Sequence, residues 1–250
     1  MLDLRLGMLK KISELSVFFP AYNEEENIEK IVLDAKRVLE KIASKWEIII
    51  VDDGSLDKTG QIADRLAKLD KKIKVVHHFP NRGYGGALKS GFKTAKHKWV
   101  AFMDSDGQFD FSEIRRLLKH YQENDLVLGY RLKRADSFLR KIFTWGWSFL
   151  ARVLFGLSVR DYSCGFKLIK KEVFDKVQPL IGEEKVTQIE LLVKAKRMGF
   201  RLAEVGVHHY PRIAGRQTGA NLRVVFKSIQ DLFRLWFVLR KYYAVPRKTY

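Results

Sequence analysis

Two aspartates, Asp104 and Asp106, stand one residue apart directly after the apolar run "WVAFM". Residues i and i+2 of an extended strand point to the same side, so the two carboxylates would lie close together and repel each other. A cation between them removes that repulsion, and a site made of oxygen ligands alone suits Mg²⁺ or Mn²⁺, which also bind phosphate oxygens. The pair therefore indicates a divalent metal site, with an acidic turn and helix cap as the alternative.

Two further polar segments follow apolar runs. In "VDDGSLDKT", Asp53 is a candidate acceptor of hydrogen bonds from a nucleobase or ribose, and Asp57 is a candidate helix cap; an ordinary Asp-Gly turn is the alternative. "NRGYGGALKSGF" resembles a phosphate loop but lacks the Gly-Lys-Ser/Thr ending of a P-loop. Its glycines, Gly83 among them, indicate either a structural turn or a close approach of the backbone to a sugar nucleotide.

The spacing of apolar residues predicts the scaffold that holds these segments. Over about the first 106 residues, four apolar runs alternate with three helical patterns, which gives the order β-α-β-α-β-α-β. Continuous apolar strands that alternate with helices are typical of a parallel sheet covered on both faces. Ligands of such sheets bind beyond the carboxyl ends of the strands. We therefore expect "PAYNEEE", "VDDGSLD" and "MDSDGQ" to meet at one edge of the sheet.

Two helix starts are predicted from capping residues. The first helix is expected to begin at Asn23 as its N-cap, with the acidic residues 24–26 in the first turn, where the helix dipole favours them. "FSEIRRLLKHYQE" predicts one helix with Ser112 as its candidate cap. A strand, "DLVLGYR", follows, and a further helix and strand precede a long basic segment at the carboxyl end.

Length and charge limit the class of protein. The chain has 250 residues, which suits one large domain, or one domain with an appendage. Its 47 basic residues exceed its 29 acidic ones by 18, which favours an anionic partner over a merely solvated surface. Cys164 is the only cysteine, which excludes an intrachain disulfide and fits a reducing cytoplasm. No run reaches the ~18 apolar residues of a spanning helix, so we expect a soluble or peripheral protein.

Five segments, taken in order, resemble the signatures of family-2 glycosyltransferases: "FPAYNEEENI", "VDDGSLDKT", "NRGYGGALKSGF", "MDSDGQF" and "DYSCGFKLIKKEVF". The resemblance spans residues 17–219 and is greatest to the polyprenyl-phosphate sugar transferases, the dolichyl-phosphate mannose/glucose synthase group. It implies a GT-A-type α/β fold with a mostly parallel central sheet and helices on both faces. It also implies inverting transfer of mannose or glucose from GDP-mannose or UDP-glucose to a polyprenyl or dolichyl phosphate, with Mg²⁺ or Mn²⁺ as cofactor.

The resemblance assigns roles to residues at matching positions. Its metal ligands are Asp104 and Asp106, with Gln108 nearby, and its candidate catalytic residues are Asp104, Asp106, Arg131 and Arg216. Together with Gly83 of the glycine-rich loop, the candidate donor-binding residues are Pro20, Tyr22, Glu24, Asp53, Asp104 and Gln108. The candidate acceptor-binding residues are Ser163, Arg212 and Arg216, although Cys164 is inserted relative to the simplest family motif, so either Ser163 is displaced or Cys164 takes its place. Glu190 matches a position where some relatives have a catalytic carboxylate, with a structural glutamate as the alternative.

Two basic, aromatic segments bear on the acceptor. The composition of residues 137–156 is typical of a helix in a membrane interface, with a buried helix as the alternative, and Arg140, with Lys141 as the alternative, is a candidate ligand of the acceptor phosphate. In the segment 220–250, six polar residues fall within an arc of roughly 100° at about 100° per residue, which predicts an amphipathic helix. That helix could lie on a membrane, pack on the domain or form a dimer.

We therefore expect a catalytic domain over residues 1–219, which includes the amphipathic interface helix 137–156, and a basic amphipathic helix and tail over 220–250. The protein would be peripheral on the cytoplasmic face of a membrane, as a homo-oligomer or with a membrane partner subunit. The nearest alternative is a soluble family-2 glycosyltransferase that acts on a sugar or protein hydroxyl. A basic nucleic-acid-binding protein would need a binding module or an aromatic, basic sheet, and the sequence contains neither; no nucleic acid partner is expected.

Overall fold

A computed structural model describes residues 11–132, 146, 149–182, 184–212 and 222–244, with side chains of the last range given for 229–240. Seven strands form one sheet in the order β3-β2-β1-β4-β6-β5-β7. The strands are β1 Ile12–Ala21, β2 Ala43–Asp52, β3 Ile73–His77, β4 Trp99–Met103, β5 Leu126–Arg131, β6 Phe166–Lys170 and β7 Leu202–Val207.

Strand β6 is the one antiparallel member of this sheet. It pairs antiparallel with both β4 and β5, whereas the other neighbouring pairs are parallel. Because β6 runs backwards, its first residue, Phe166, pairs with the last residue of β4, Met103. The segment before β6 is thereby brought to the carboxyl end of β4. The predicted mostly parallel α/β fold is confirmed. The reversed strand brings residues 161–165 to the edge of the sheet where β4 ends.

Helices cover both faces of the sheet, as predicted. They are α1 Ile28–Ile42, α2 Thr59–Leu69, α3 Gly83–Thr94, α4 Ile114–Leu117, α5 Lys171–Lys176, α6 Val186–Arg197 and α7 Leu222–Ala244, and residues 149–155 are also helical. One core cluster joins the sheet to α1 and α2 through residues such as Leu39 and Leu66. The second cluster joins the other face to α3, α6 and α7 through residues such as Phe92 and Ile189.

Helix α1 begins later than predicted, so Asn23 is not its cap. Asn23 has a φ of 56°, in the left-handed region, and its Oδ1 accepts a hydrogen bond from Leu56 N at 2.8 Å. The backbone N–H of Glu24 donates to Thr59 Oγ1 at 2.8 Å. These contacts with the β2–α2 loop hold residues 23–26 as a loop, and Asn27 becomes the N-cap position. The prediction for residues 23–26 was wrong, and Glu24 lies at the edge of the sheet.

The predicted helix over "FSEIRRLLKHYQE" is also much shorter. A single 3₁₀ turn, Phe111–Glu113, precedes the four-residue helix α4, after which the chain forms turns. The capping side chain is Asp110, whose carboxylate accepts a hydrogen bond from Ser112 N at 2.8 Å. Ser112 is therefore not the cap, because its own backbone N–H donates to the carboxylate of Asp110, which caps the turn.

Helix α7 packs on the domain along a stripe of leucines. Leu232, Leu235 and Leu239 are each at most 1% exposed and belong to the second core cluster. On the outer side, Phe233, Phe237 and Val238 are exposed. Of the described helices, none is long and apolar enough to cross a membrane. Packing against the domain is thus one established role of this helix, and its outer apolar face remains uncovered within the described residues.

Candidate active site

The aspartate pair lies in a loop. Strand β4 ends at Met103, so the prediction that Asp104 and Asp106 share one face of a strand was wrong. Gly107, with a φ of 73°, turns the chain, and Asp106 Oδ1 accepts a hydrogen bond from Gln108 N at 3.2 Å. The loop still holds both carboxylates at the carboxyl end of β4, where the sequence placed them.

Asp104 is held from two sides. Its Oδ1 accepts a hydrogen bond from Tyr84 OH at 2.8 Å, and its backbone N–H donates to Gly165 O at 2.9 Å. A Cβ atom on Gly165 would stand 1.9 Å from Asp104 Oδ2, far inside any van der Waals contact. Any side chain at position 165 would therefore force the Asp104 carboxylate to move, which favours glycine there.

Glu24 and Arg212 join the aspartates. Arg212 Nη2 donates to Glu24 Oε1 at 2.5 Å and lies 3.8 Å from Asp106 Oδ2. Burial raises the pKa of Glu24 to about 7, and the charges of Asp106 and Asp104 add to that effect against Asn27 and Arg212. The structure thus brings a predicted donor residue and a predicted acceptor residue together, in one cluster of three carboxylates and one guanidinium.

These side chains fit a metal that is shared with a substrate. Among the described residues, no group of three or more His, Cys, Asp or Glu could hold a metal ion on its own. Mg²⁺ in proteins is usually bound by one or two carboxylates together with substrate phosphates, because it keeps an octahedral shell and seldom sits in an all-protein cage. Asp104 and Asp106 provide that number of carboxylates, so the donor set fits a cation that arrives with a diphosphate.

Gln108 ties this loop to the segment that follows β7. Its Nε2 donates to Tyr210 O at 3.0 Å, and Tyr210 N donates back to Gln108 O at 2.9 Å. The buried side chain thereby sets the position of Arg212, two residues beyond Tyr210. The geometry gives Gln108 a supporting contact, and its predicted place on the metal remains a prediction.

Asp53 organises the loop that begins α3. Its Oδ1 lies 2.6 Å from His78 Nδ1 and accepts a hydrogen bond from Arg82 N at 2.9 Å. The next residue, Gly83, has a φ of 73°, and a Cβ there would stand 2.5 Å from Glu184 Oε1. The glycine-rich segment therefore forms the first turn of α3, held to Asp53 through the N–H of Arg82, and is not the predicted loop. Both predicted donor residues, Asp53 and Gly83, lie at the same edge of the sheet.

Pro20 and Tyr22 lie where β1 ends. Pro20 is buried, and its carbonyl accepts a hydrogen bond from Ser105 Oγ at 2.5 Å. That bond links the end of β1 to the loop that carries Asp104 and Asp106. Tyr22 is partly exposed, beside the bound loop of residues 23–26. Pro20 thus contacts the aspartate loop, and Tyr22 lies two residues beyond Pro20, directly after the end of β1.

Arg131 forms a buried ion pair with a residue that the sequence analysis did not single out. Its Nε and Nη2 donate to the two carboxylate oxygens of Asp161 at 2.7 and 2.9 Å, and Nη2 also donates to Ser163 Oγ at 2.9 Å. Ser163 therefore keeps the polar position in this motif, while Cys164 is buried, which raises the pKa of its thiol to about 12. Asp161 was visible as the first residue of "DYSCGF".

Glu190 has the surroundings of a structural residue. It is fully buried, its Oε1 lies 2.6 Å from Lys194 Nζ, and its Oε2 accepts a hydrogen bond from Gly182 N at 2.6 Å. The carboxylate holds the loop before α6, in agreement with the structural alternative. Two further predicted residues, Arg140 and Arg216, lie outside the described residues.

Comparisons with known proteins bear on the family and the fold of this chain. The family model described as glycosyl transferase family 2 matches residues 16–178. Glycosyltransferase AglD of Haloferax volcanii is 33% identical over 245 residues, which cover 94% of this chain and 39% of the relative. A dolichyl-phosphate beta-glucosyltransferase of Dictyostelium discoideum is 31% identical over 214 residues, covering 78% and 65%. A dodecaprenyl-phosphate galacturonate synthase of Rhizobium johnstonii is 31% identical over 237 residues, covering 93% and 69%.

The chain thus spans about two fifths of the first relative and about two thirds of the other two. Among solved structures, glucosyl-3-phosphoglycerate synthase from Mycobacterium tuberculosis in complex with UDP aligns with a TM-score of 0.70 at 19% identity, covering 90% of this chain and 80% of that one. This likeness confirms the predicted GT-A-type fold. With the family model matched over more than half of its length, the chain belongs to glycosyl transferase family 2.

Proposed function

We propose that this chain transfers a hexose from a nucleotide sugar to a polyprenyl phosphate, with Mg²⁺ or Mn²⁺ bound by Asp104 and Asp106. The observation that carries the proposal is the meeting of Glu24, Asp104, Asp106 and Arg212 at the carboxyl edge of the sheet. The relatives named for dolichyl or dodecaprenyl phosphate support the acceptor class. The structural neighbour crystallised with Mn²⁺ and UDP-glucose supports the donor class and the metal.

The side chains of this cluster suit departure of a nucleoside diphosphate. The acceptor phosphate oxygen attacks the anomeric carbon from the face opposite the leaving group, so the bond to the diphosphate breaks with inversion. Asp104 and Asp106 would hold a divalent cation, which would neutralise the charge that develops on the diphosphate. Arg212, already beside Asp106, supplies a fixed positive charge to the same region, which stabilises that charge without reorganisation.

A separate general base is not needed for this acceptor. A phosphate monoester carries ~1.5–2 negative charges near neutral pH, so it is already a nucleophile. The buried pair of Glu190 with Lys194 supports this view, because that carboxylate is engaged with the loop before α6. A hydroxyl acceptor, the nearest alternative, would require a base.

The remaining assignments follow from position. We infer that Pro20, Tyr22, Asp53 and Gly83 bind the nucleoside part of the donor, since they surround the same sheet edge. We assign the acceptor phosphate to Arg212, with Arg216 and Arg140 as further ligands. Arg131 and Ser163 hold the segment 161–165 against Asp104, which places their contribution behind the reacting groups.

We further infer that the protein lies on an anionic membrane, at its cytoplasmic face. The outer face of α7 exposes Phe233, Phe237 and Val238 next to Arg234 and Arg240. Exposed aromatic residues beside cations are typical of helices in a membrane interface, and each cation near an anionic leaflet contributes about 1 kcal/mol. Phe149 and Val153, in the helical stretch 149–155, are exposed as well. The division into a catalytic domain, 1–219, and a membrane-facing appendage, 220–250, is part of this proposal.

The deciding experiment is a transfer assay in detergent. GDP-mannose or UDP-glucose is combined with dolichyl or undecaprenyl phosphate, in Mg²⁺, Mn²⁺ or EDTA. We expect a lipid-linked hexose from at least one pair, and none in EDTA. Absence of product from every pair would contradict the polyprenyl phosphate acceptor. Product from a sugar or protein hydroxyl in its place would establish the alternative acceptor class.

A further inference from the structure

Behind Asp104 lies a row of side chains that no part of the mechanism above uses. Tyr84 OH donates to Asp104 Oδ1 at 2.8 Å, and Gln188 Nε2 donates to Tyr84 OH at 3.0 Å. Lys167 Nζ in turn donates to Gln188 Oε1. Asp104 lies in the loop after β4, and the other three residues come from α3, α6 and β6, so three separate segments of the chain form the row that ends at one carboxylate oxygen.

The side chains at the two ends of this row, Lys167 and Asp104, determine the direction of every hydrogen bond between them. A lysine ammonium has only donors, so the amide atom of Gln188 that faces it must be Oε1, and Nε2 must face Tyr84. The Tyr84 oxygen then accepts from Gln188, and its own O–H is left to donate. An ionised carboxylate only accepts, which completes the row at Asp104.

Lys167 is buried, so its ammonium group must find its hydrogen-bond acceptors within the protein. It is 1% exposed, although it is a lysine on the central part of the sheet, where it pairs with Phe102 of β4. Its Nζ has three acceptors: Tyr162 O, Cys164 O and Gln188 Oε1. Three acceptors match the three N–H bonds of an ammonium group. A hydrophobic side chain could fill this space at a lower desolvation cost. A buried cation here therefore indicates a role other than packing.

We propose that Tyr84, Gln188 and Lys167 are positioning residues that fix the Asp104 carboxylate for the metal-bound donor. The inference rests on the proposed function. Tyr84 fixes Oδ1, while the close approach of Gly165 confines Oδ2, so the carboxylate is restrained at both oxygens. Hydrogen-bond partners behind a metal ligand orient it, and their loss typically lowers metal affinity by about 10–100-fold.

Tyr84→Phe is the direct test, because it removes one hydroxyl and keeps the ring. Gln188→Glu is the second variant: its carboxylate keeps a partner for Lys167, yet it accepts the Tyr84 O–H and so withdraws that donor from Asp104. The readout is Mn²⁺ affinity by electron paramagnetic resonance, with UDP and separately with GDP as the nucleotide. We expect each variant to bind Mn²⁺ with nucleotide at least about tenfold more weakly than the wild type.

Matched controls separate positioning from packing. Tyr121→Phe removes the hydroxyl of a partly buried tyrosine that packs on Trp99, and Gln61→Glu adds the same charge at an exposed position of helix α2; both should bind as the wild type does. The double variant Tyr84→Phe/Gln188→Glu should lose no more affinity than the larger single loss, because both changes interrupt one row. Thermal melting checks that each variant is folded.

Two results would overturn the inference, and they differ in kind. If Tyr84→Phe and Gln188→Glu keep wild-type Mn²⁺ affinity while Asp104→Asn loses it, the proposed donor site stands and the positioning row is wrong. If the wild type binds Mn²⁺ with neither UDP nor GDP, the proposed metal and donor site fails, and the inference fails with it. Should Tyr84→Phe not fold, Gln188→Glu decides between the outcomes, since its ion pair with Lys167 preserves the core.

Discussion

Arg131 and Asp161 form a two-point ion pair within the protein, with side chains only 7% and 6% exposed. The pair joins the end of β5 to the segment before β6. That segment places Gly165 in close contact with the Asp104 side chain. A guanidinium that the family resemblance assigns to phosphate thus pairs with Asp161 and supports the loop of Asp104, while its role toward phosphate stays a prediction.

Replacement of Asp161 by alanine should strongly destabilise the protein. The change leaves the buried charge of Arg131 without its carboxylate, and breaking one side of a buried pair typically costs about 3–5 kcal/mol of unfolding free energy. Urea denaturation measures this. Asp34→Ala is the control, because its pairs with Lys30 and Arg37 are exposed and typically contribute about 1 kcal/mol or less. Equal losses of unfolding free energy from both variants would show that the buried pair contributes no more to stability than the exposed pairs.

Asp106→Asn should abolish metal-dependent transfer while the fold persists. The amide keeps the size of the side chain and its acceptor for Gln108 N, but it removes a charged ligand of the metal. Transfer rates across a Mn²⁺ titration, with circular dichroism as a check on folding, measure the effect. Asp110→Asn is the control, since asparagine is also a good helix cap and the Asp110 carboxylate accepts from the N–H and the hydroxyl of Ser112 in its own turn. Full activity in the Asp106 variant would contradict its place on the metal.

Gly165→Ala should impair catalysis more than stability of the sheet. The new Cβ would meet Asp104 Oδ2 at 1.9 Å, so the carboxylate must move out of its position. We expect transfer to fall by about tenfold or more, as for displaced catalytic groups generally. Gly146→Ala is a suitable control, because Gly146 is helical and no residue that the structure describes lies within 4 Å of its added Cβ. A Gly165 variant with wild-type kcat and KM would show that Asp104 need not be held there.

The order of strands and helices could be predicted from the sequence because burial on both faces leaves a strong local signal in each strand. Helix starts could not, because the contacts that decide them come from distant parts of the chain. Asn23 has the features of a cap, yet its side chain is bound by Leu56, 33 residues away. Local propensity carries no information on such a partner.

The site was predictable to a similar extent. The motifs correctly placed Glu24, Asp53 and the two aspartates at one edge, since residues that follow parallel strands must meet there. The supporting partners Tyr84 and Asp161 were missed, although both belong to the quoted motifs. Their role depends on the antiparallel course of β6 and on α6, which no spacing within a single motif reveals.

Stability should depend on pH through His77. Its Nδ1 lies 2.9 Å from Asp52 and its Nε2 lies 3.0 Å from Asp64. Burial opposes protonation, but the hydrogen bonds and charges of Asp64 and Asp52 together raise the pKa of His77. A raised folded-state pKa stabilises the protein fully below the unfolded value of about 6.5, and the contribution is lost as pH rises through the folded value.

His77→Gln should therefore destabilise the protein most at acidic pH, and the difference from the wild type should shrink at alkaline pH. Urea denaturation at about pH 5.5 and about pH 9, on either side of the ordinary histidine value, measures both differences. His120→Gln, at an exposed position, serves as the control and should give no such trend. A difference that grows with pH would mean that neutral His77 is the form stabilised by the fold.

The outer face of α7 should bind anionic membranes through its aromatic side chains. Phe237 is 64% and Phe233 is 41% exposed, while the leucine stripe that packs on the domain is buried. Replacing both phenylalanines by serine removes apolar surface from the outer face alone, so we expect weaker sedimentation with vesicles that contain phosphatidylserine and an unchanged melting temperature. Leu69→Ser, which removes an exposed apolar side chain at the end of α2, is the matched control. Unchanged vesicle binding by the double variant, with weakened binding at high salt, would assign the membrane contact to the cations alone.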